Sequence, residues 1–377
     1  MNSKLCKKSY IQNNIMGFKC GIIGLPNVGK STLFNALTKA EIPAENFPFC
    51  TIDPNIGKVP LPDKRLTELN NIVNSNKIIP AVLDLVDIAG LVKGASDGEG
   101  LGNSFLSNIR EMSALAHVVR CFEDENITHV DGSVNPRRDV EVINLELIFA
   151  DLETISKRIT KCEKLLKTND KDNKLQLEML LLLQKDLEEG RLINLKDFNK
   201  EEQIMIKNFQ LLSSKPTFFI ANINESEASK KNVEELNKVA SELNTFVIPA
   251  SIKIEYEISI LDEEEKNEYL ELMEMEEPVL NKIIFEGYKL LGLKTFFTAG
   301  PSEIRAWTIK NDFTAPNAAG VIHTDFERGF IKAEVIDFDD YIENNGELGA
   351  KENGKLRLEG KNYLVKDGDV IHFKFNV

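Results

Sequence analysis

The chain has 377 residues and a net charge of −14, from 46 basic and 60 acidic residues. This length allows two or three domains with substantial cores. The acidic balance argues against a surface coated with positive charge for nucleic acid, so any RNA contact must use a local basic patch. No apolar run approaches the roughly 20 residues of a membrane span, and the five cysteines form no CxxC pair. We expect a cytoplasmic protein that binds neither a membrane nor DNA.

Residues 1–16 carry Lys4, Lys7 and Lys8 and no acidic residue. We predict that they form a disordered N-terminal extension, or that Met16 opens the real domain. An organellar targeting segment is the less favoured alternative, since transit peptides are usually richer in Arg and Ser.

Gly24–Ser31 has the complete phosphate-loop pattern G-x-x-x-x-G-K-S, between an apolar strand and an amphipathic helix. Backbone N–H groups of such a loop surround phosphates, its lysine reaches the β and γ phosphates, and its serine hydroxyl reaches Mg²⁺. We therefore predict that Lys30 binds phosphate and assists catalysis, and that Ser31 binds Mg²⁺.

Short apolar strands alternate with helices through much of the chain. The predicted strands are Lys19–Leu25, Ile56–Val59, Ala81–Asp87, His117–Phe122, Thr217–Asn222 and Thr245–Ala250. This alternation predicts an α/β fold with a mostly parallel sheet that is covered on both faces, and with ligands beyond the strand C-termini.

Two segments supply the remaining parts of a nucleotide switch. Asp87–Gly90 has the pattern D-x-x-G at a strand end, where Asp87 can hold Mg²⁺ through water and the Gly90 N–H can meet the γ-phosphate. Thr51 follows Phe47-Pro48-Phe49-Cys50 in an irregular stretch and is the natural hydroxyl ligand of Mg²⁺ in the triphosphate state. The glycine-rich residues 94–102 suit a switch that is ordered by nucleotide.

The hydrolytic centre departs from that of Ras-type enzymes. Leu91 occupies the position of their water-orienting glutamine. A leucine can neither orient nor deprotonate water, so another group must do so, or turnover is slow. His117 opens the strand Val118–Arg120 and could approach the nucleotide if the switch folds over it. A packed core histidine is the alternative.

Residues 137–207 have a different pattern. Apolar residues spaced alternately by three and four positions predict a heptad seam, the apolar stripe along which two helices pack. The residues of this seam are Leu145, Ile148, Leu152, Ile155, Ile159, Cys162 and Leu166. Thr168-Asn169-Asp170 interrupts it, and leucines 177, 180, 183 and 187 continue until Gly190. We predict an inserted antiparallel helical hairpin. Its first helix has a basic flank that includes Lys157, Arg158 and Lys161, for which a solvated face and an RNA contact are equally good explanations.

The base pocket is altered after the fifth strand. Guanine-specific GTPases place N-K-x-D there, but this chain has Asn222-Ile223-Asn224-Glu225. The lysine is absent and the acid is one methylene longer. A carboxylate would repel the lone pair on adenine N1, so Glu225 should point away if ATP binds, leaving Asn222 and backbone groups to contact the 6-amino edge. We predict relaxed or ATP-preferring recognition.

The C-terminal part has a third pattern. Residues 262–277 are acidic and predict a helix ending at Pro278. Beyond Leu291, turn signals such as Asn345-Gly346 and Asp367-Gly368 separate short β-prone runs, which predicts a small β-rich domain. Within residues 351–366, five basic residues outnumber two acidic ones.

These motifs together resemble the YchF / Obg-like ATPase family, a branch of the Obg-related translation-factor GTPases in the TRAFAC class. The resemblance runs from Gly17 to Val377 and includes Arg305–Thr308, His323–Glu327 and Lys366–Val370. It implies an OBG-type G domain at 17–274 that is interrupted by a coiled coil at 137–207. A linking helix at 275–291 and a β-grasp-like TGS domain at 292–377 follow. Residues 1–16 have no family counterpart.

The resemblance also implies a function: Mg²⁺-dependent hydrolysis of ATP in preference to GTP, with binding to the ribosome and its large subunit through local basic patches. By resemblance, the phosphate-binding residues are Asn27, Val28, Gly29, Lys30, Ser31 and Thr32. Ser31 and Thr51 bind Mg²⁺, Asn222 and Ile223 line the base, and His117 stands at the family's proposed catalytic histidine. Asn27 can help to hold K⁺ in related enzymes.

Two departures from the family pattern are Ser113, where an aspartate is common, and Ile252, where a small alanine is usual. Two alternative functions stay open. One is a GTP-preferring GTPase, and the other is a nucleotide-sensing adaptor whose slow hydrolysis is incidental.

Overall fold

The structure, a computed structural model, describes residues 18–39, 55–88, 100–130, 132–165 and 171–376. The chain divides into two compact units. The parallel-sheet unit comprises Lys19–Ala36 and Leu85–Met273, and the mixed-sheet unit comprises the described parts of Met1–Phe18, Leu37–Asp84 and Glu274–Val377. No helix in the described ranges combines the length and the apolar character needed to cross a membrane.

The strands, in chain order, are β1 (Lys19–Ile23), β2 (Ile56–Pro60), β3 (Ile78–Ile79), β4 (Val82–Asp87), β5 (Ala114–Arg120), β6 (Thr217–Asn222), β7 (Val247–Ala250), β8 (Leu293–Ala299), β9 (Ile304–Lys310), β10 (Phe330–Ile336), β11 (Arg357–Glu359) and β12 (Val370–Phe375). The helices are α1 (Lys30–Thr38), α2 (Lys64–Val73), α3 (Gly100–Glu111), α4 (Pro136–Leu165), α5 (Lys171–Glu188), α6 (Lys200–Phe209), α7 (Glu227–Glu242), α8 (Ile252–Ser259), α9 (Glu263–Leu272), α10 (Val279–Leu290), α11 (Ala315–Ile322), α12 (Thr324–Arg328), α13 (Phe338–Glu343) and α14 (Glu347–Glu352).

The first sheet has the strand order β2-β4-β1-β5-β6-β7, and the division between the units falls within β4. β1 pairs with β5, β5 with β6 and β6 with β7, all in parallel. Every residue of β5 is buried, as expected for the centre of a sheet that helices cover on both faces. This confirms the predicted α/β fold with a mostly parallel sheet.

The helical arm consists of α4 and α5, and α6 packs against it. Its core includes Ile148, Ile155, Leu180 and Leu183, as the seam predicts. The seam is wrong at its first position, because Leu145 is 46% exposed. At that level α4 turns another face inward: Val140 packs in a cluster with residues of β5 and α7. Leu166 and residues 168–170 lie outside the described residues.

The mixed-sheet unit contains a second sheet in the order β11-β10-β12-β8-β9-β3, which confirms the predicted β-rich C-terminal part. It also contains a segment far away in the sequence. β3 pairs in parallel with β9, and Arg65 on α2 donates from Nη1 to Asp367 Oδ2 at 2.8 Å. Residues 37–84 thus pack with the C-terminal part, and the domain bounds that the resemblance implies, 17–274 for the G domain, stay a prediction.

Candidate nucleotide-binding site

The phosphate loop connects β1 to α1 through residues with unusual backbone angles. Gly24 and Gly29 have φ angles of 151° and 103°, and Asn27 has a φ of 62°. A Cβ atom at Gly24 would lie 2.5 Å from Val118 O, and one at Gly29 would lie 2.6 Å from Asn222 Nδ2. Glycine is therefore required at both positions by backbone angle and by space.

Lys30 is the first residue of α1 and is only 7% exposed. Its Nζ donates to Leu25 O at 2.7 Å, so the side chain lies back along the loop. Burial lowers the pKa of Lys30 to about 8, and the nearby Asp87 offsets part of this effect. A phosphate group would give this ammonium a stronger, charged partner than a carbonyl oxygen.

Ser31 and Asp87 form a potential metal site at the loop. Ser31 Oγ donates to Asp87 Oδ2 at 3.0 Å. Asp87 Oδ1 is buried and has no hydrogen-bond partner among the described residues. An unpartnered buried carboxylate oxygen is rare in proteins. Hydroxyl and carboxylate oxygens are ligands that Mg²⁺ prefers, so this pair fits a magnesium ion. The other predicted ligand, Thr51, lies outside the described residues, as do Gly90 and Leu91.

Asn222 connects the phosphate loop to the start of α8. Its Nδ2 donates to Val28 O at 2.9 Å, and its Oδ1 accepts from the Ile252 backbone N–H at 3.2 Å. The residue is buried at the end of β6. The side chain that we predicted to contact the base thus joins the phosphate loop to the first residue of α8.

The other base-pocket residues differ in exposure. Ile223 is half-buried, and Glu225 is exposed. Asn224 Oδ1 accepts from the backbone N–H and the hydroxyl of Ser226, at 3.1 and 2.6 Å, where α7 begins. These bonds fix the turn that carries Glu225.

His117 lies in the middle of β5, opposite Ile23 of β1 and Phe219 of β6. The prediction that it opens the strand is wrong, because β5 begins at Ala114. The side chain is 1% exposed, and its ring centroid is 5.4 Å from that of Phe219. Burial, with a smaller effect of the Lys30 charge, lowers the pKa of His117 to about 3. The ring is therefore neutral at physiological pH.

A second histidine near the loop was missed from the sequence. His129 is 8% exposed, and its Nε2 lies 2.9 Å from Oδ2 of the buried Asp139 at the start of α4. Thr128, the preceding residue, accepts a hydrogen bond from Asn27 Nδ2 at 3.3 Å, which attaches this segment to the phosphate loop.

Arg120 holds the segment that leads from β5 to His129. Its guanidinium donates to the carbonyls of Phe122, Asp124 and Ile127, at distances of 2.9 to 3.2 Å. An arginine at the end of an apolar run, followed by a histidine and an aspartate ten positions apart, is the sequence signal that could have identified the pair.

Comparison with known proteins identifies the family to which the chain belongs. A family model described as a 50S ribosome-binding GTPase matches residues 19–185. The model named for the C-terminal part of YchF GTPases, described as a protein of unknown function, matches residues 293–376. Proteins named ribosome-binding ATPase YchF from Escherichia coli O157:H7 and Bacillus subtilis are 54% and 51% identical, over 96% of this chain and 100% of each relative. The chain belongs to the YchF family.

A solved structure of the YchF GTPase of Schizosaccharomyces pombe agrees with this assignment. It matches with a TM-score of 0.81 and 35% sequence identity, over 95% of this chain and 98% of that chain. As a YchF-family protein, the chain is a P-loop nucleoside triphosphatase with a G domain and a YchF-type C-terminal domain, which confirms these predictions.

Proposed function

We propose that this YchF-family protein is a cytoplasmic ATPase that binds the large ribosomal subunit, and that its nucleotide state switches this binding. The observation that carries the proposal is the phosphate loop, with Lys30 buried at the head of α1 and Ser31 bonded to an aspartate that has an unpartnered oxygen. The relatives are named ribosome-binding ATPases, which supports ATP as the substrate and the ribosome as the partner.

Ser31 and Asp87 would hold Mg²⁺, with Thr51 as a third ligand. When bound, the ion neutralises charge that develops on the β and γ phosphates. Lys30 would exchange its bond to Leu25 O for the phosphates, the N–H groups of residues 27–32 would surround them, and the N–H of Gly90 would contact the γ-phosphate. Asn27 stays a proposed K⁺ ligand through its side-chain oxygen, while its Nδ2 donates to Thr128 O.

The base pocket supports ATP over GTP. Both polar atoms of the Asn222 amide are engaged, by Val28 O and by the Ile252 N–H. Glu225 is exposed, whereas a carboxylate that binds guanine would be buried against the base. Ile223 and the backbone beside it would then line the base. An aspartate that accepts two guanine N–H groups gives strong discrimination, and this site lacks it.

Titration calorimetry with ATP and GTP on the same sample tests this proposal. We expect tighter binding of ATP. The double substitution Ile223→Lys with Glu225→Asp restores the guanine motif and should shift the preference by about tenfold or more towards GTP. Glu227→Asp, which shortens an exposed acid on α7, is the matched control. Tenfold tighter GTP binding by the wild-type protein would contradict the ATP preference.

A further inference from the structure

The end of α3 meets the root of the helical arm at a polar junction. Arg110, next to the last residue of α3, donates from Nη2 to Thr154 Oγ1 on α4 at 2.9 Å. Its Nη1 donates to Gln210 O, just after α6, at 3.4 Å. Thr154 Oγ1 in turn donates to Ala150 O at 3.0 Å, so the hydroxyl is oriented along its own helix and accepts from the arginine. One side chain of α3 thus contacts both α4 and the residue that follows α6.

The backbone at the same helix end is fixed by Lys215. Its Nζ donates to Arg110 O at 3.0 Å and to Met112 O at 2.5 Å, which satisfies carbonyls that a helix C-terminus leaves without partners. Burial lowers the pKa of Lys215 to about 8. A cation at a helix C-terminus also interacts favourably with the helix dipole.

Asp151 completes the junction from the side of α4. It is fully buried, and it accepts from the Leu212 N–H at 2.9 Å and the Ser213 N–H at 2.8 Å. It therefore attaches α4 to the segment that carries Lys215. The charges of Arg110, Lys215 and Asp151 act on one another at this point.

Buried apolar residues enclose the polar junction between α3 and α4. Apolar residues on both sides of it are buried, namely Ile109, Met112, Leu211 and Leu212. Because interiors are close-packed, a shift of α3 must either carry α4 with it or break the contact between Arg110 and Thr154. α3 begins at Gly100 and so includes the last residues of the glycine-rich segment 94–102, which we predicted as a nucleotide-dependent switch.

We propose that the contact between Arg110 and Thr154 couples the nucleotide state of the phosphate-loop site to the helical arm. The inference rests on the proposed function, since it names how that site is regulated. Arg110 is a positioning residue: it moves or holds α4 according to the position of α3. Coupling of this kind is reciprocal, so a partner that displaces the arm also changes nucleotide affinity.

Hydrogen exchange by mass spectrometry on the full chain tests the coupling, with and without a saturating non-hydrolysable ATP analogue. In the wild-type protein we expect the analogue to change the exchange rates of α4 and α5 amides by about fivefold or more. Thr154→Val removes the hydroxyl at nearly constant volume and should reduce this change to less than about twofold. Thr154→Ser keeps the hydroxyl and should retain the change.

Thr160→Val is the matched control, because Thr160 Oγ1 makes the same bond to the carbonyl four residues earlier, Ser156 O at 3.0 Å, on the same helix. Arg110→Gln removes the contact between Arg110 and Thr154 from the side of α3. It replaces Thr154→Val as the test variant if the valine destabilises the arm. The proposal is overturned if both variants keep the full response, or if the wild-type arm does not respond while the analogue is bound. Calorimetry on the same samples measures nucleotide binding. Absence of ATP binding counts against the proposed function instead, and the exchange experiment is then run with a GTP analogue.

Discussion

Lys30 shows how burial prepares a residue for its ligand. In the absence of phosphate its ammonium has a carbonyl partner and a pKa of about 8, because burial penalises the charged form. Phosphate oxygens stabilise that form, so binding of a triphosphate raises the pKa of Lys30. The bound state then holds more protons than the free state wherever the free lysine is partly neutral.

ATP affinity should therefore decrease as the pH rises above about 8, by up to about tenfold per pH unit, and should be nearly constant well below it. Titration calorimetry in buffers of different ionisation enthalpy should show proton uptake that grows towards one between pH 7 and 9. Lys30→Arg, which stays charged, is the control and should not show this uptake. Equal uptake by both proteins would contradict the account of Lys30.

The two histidines near the phosphate loop differ in what surrounds them. His117 was predicted as the group that positions water, but it lies inside the sheet against Phe219, and its burial favours a structural role there. His129 is oriented by a buried carboxylate and is next to a residue bonded to the loop. A histidine held by a carboxylate is a common arrangement for proton transfer, so we propose His129 as the second candidate for this role.

Single-turnover hydrolysis of ATP distinguishes the two histidines. His129→Ala should lower the rate constant by about 10²–10⁴-fold with little change in ATP affinity, as expected for loss of an acid–base group. His117→Ala should lower ATP affinity and stability together, because it leaves a cavity in the sheet next to Ile23, the last residue of β1 before the phosphate loop. The exposed His372 provides a control substitution, His372→Ala. The opposite pattern, in which only His117→Ala slows hydrolysis selectively, would restore the original assignment.

Among the elements, α4 shows which part of its basic flank can contact a partner. Arg158 is directed inward: it donates to Phe209 O at 3.2 Å, with its guanidinium 5.5 Å from the Phe209 ring centroid. Lys157 forms an ion pair with Glu153. Lys161 and Lys164 are exposed. The C-terminal basic cluster is reduced in the same way, since Lys355 and Arg357 pair with Asp340 and Asp337.

Reversing the exposed charges, with Lys161→Glu and Lys164→Glu together, should weaken co-sedimentation with ribosomes by about tenfold or more at low salt, and less at high salt. Lys185→Glu on α5 is a single-charge control on the other helix of the arm. Unchanged co-sedimentation of the double variant would show that this flank is only a solvated face.

The elements also show where sequence patterns suffice. β6 has the predicted bounds, Thr217–Asn222, because apolar runs between turn signals define buried strands. Leu145 was misassigned because the heptad pattern continues into a part of α4 whose inner face is set by β5 and α7. His117 was misplaced because no turn signal marks the start of β5. The strand begins three residues earlier, at Ala114, which puts His117 at its centre instead of its end.

In the molecule as a whole, local sequence patterns could not predict contacts between residues that are far apart in the sequence. Arg65 and Asp367 are 302 positions apart, and β3 has only two residues, too few for a periodic signal. Both the Arg65–Asp367 ion pair and β3 form only because the C-terminal sheet is present, and they lie with it in the mixed-sheet unit. The phosphate loop, by contrast, could be assigned from the sequence because its chemistry is local.

The proposed function makes binding to the ribosome depend on nucleotide state. Co-sedimentation with purified large ribosomal subunits, at constant Mg²⁺, tests it most directly with a non-hydrolysable ATP analogue, with ADP and without nucleotide. We expect apparent affinities that differ by about tenfold between the ATP analogue and ADP, within the usual range of coupling between two sites. Equal binding in all three conditions would contradict it.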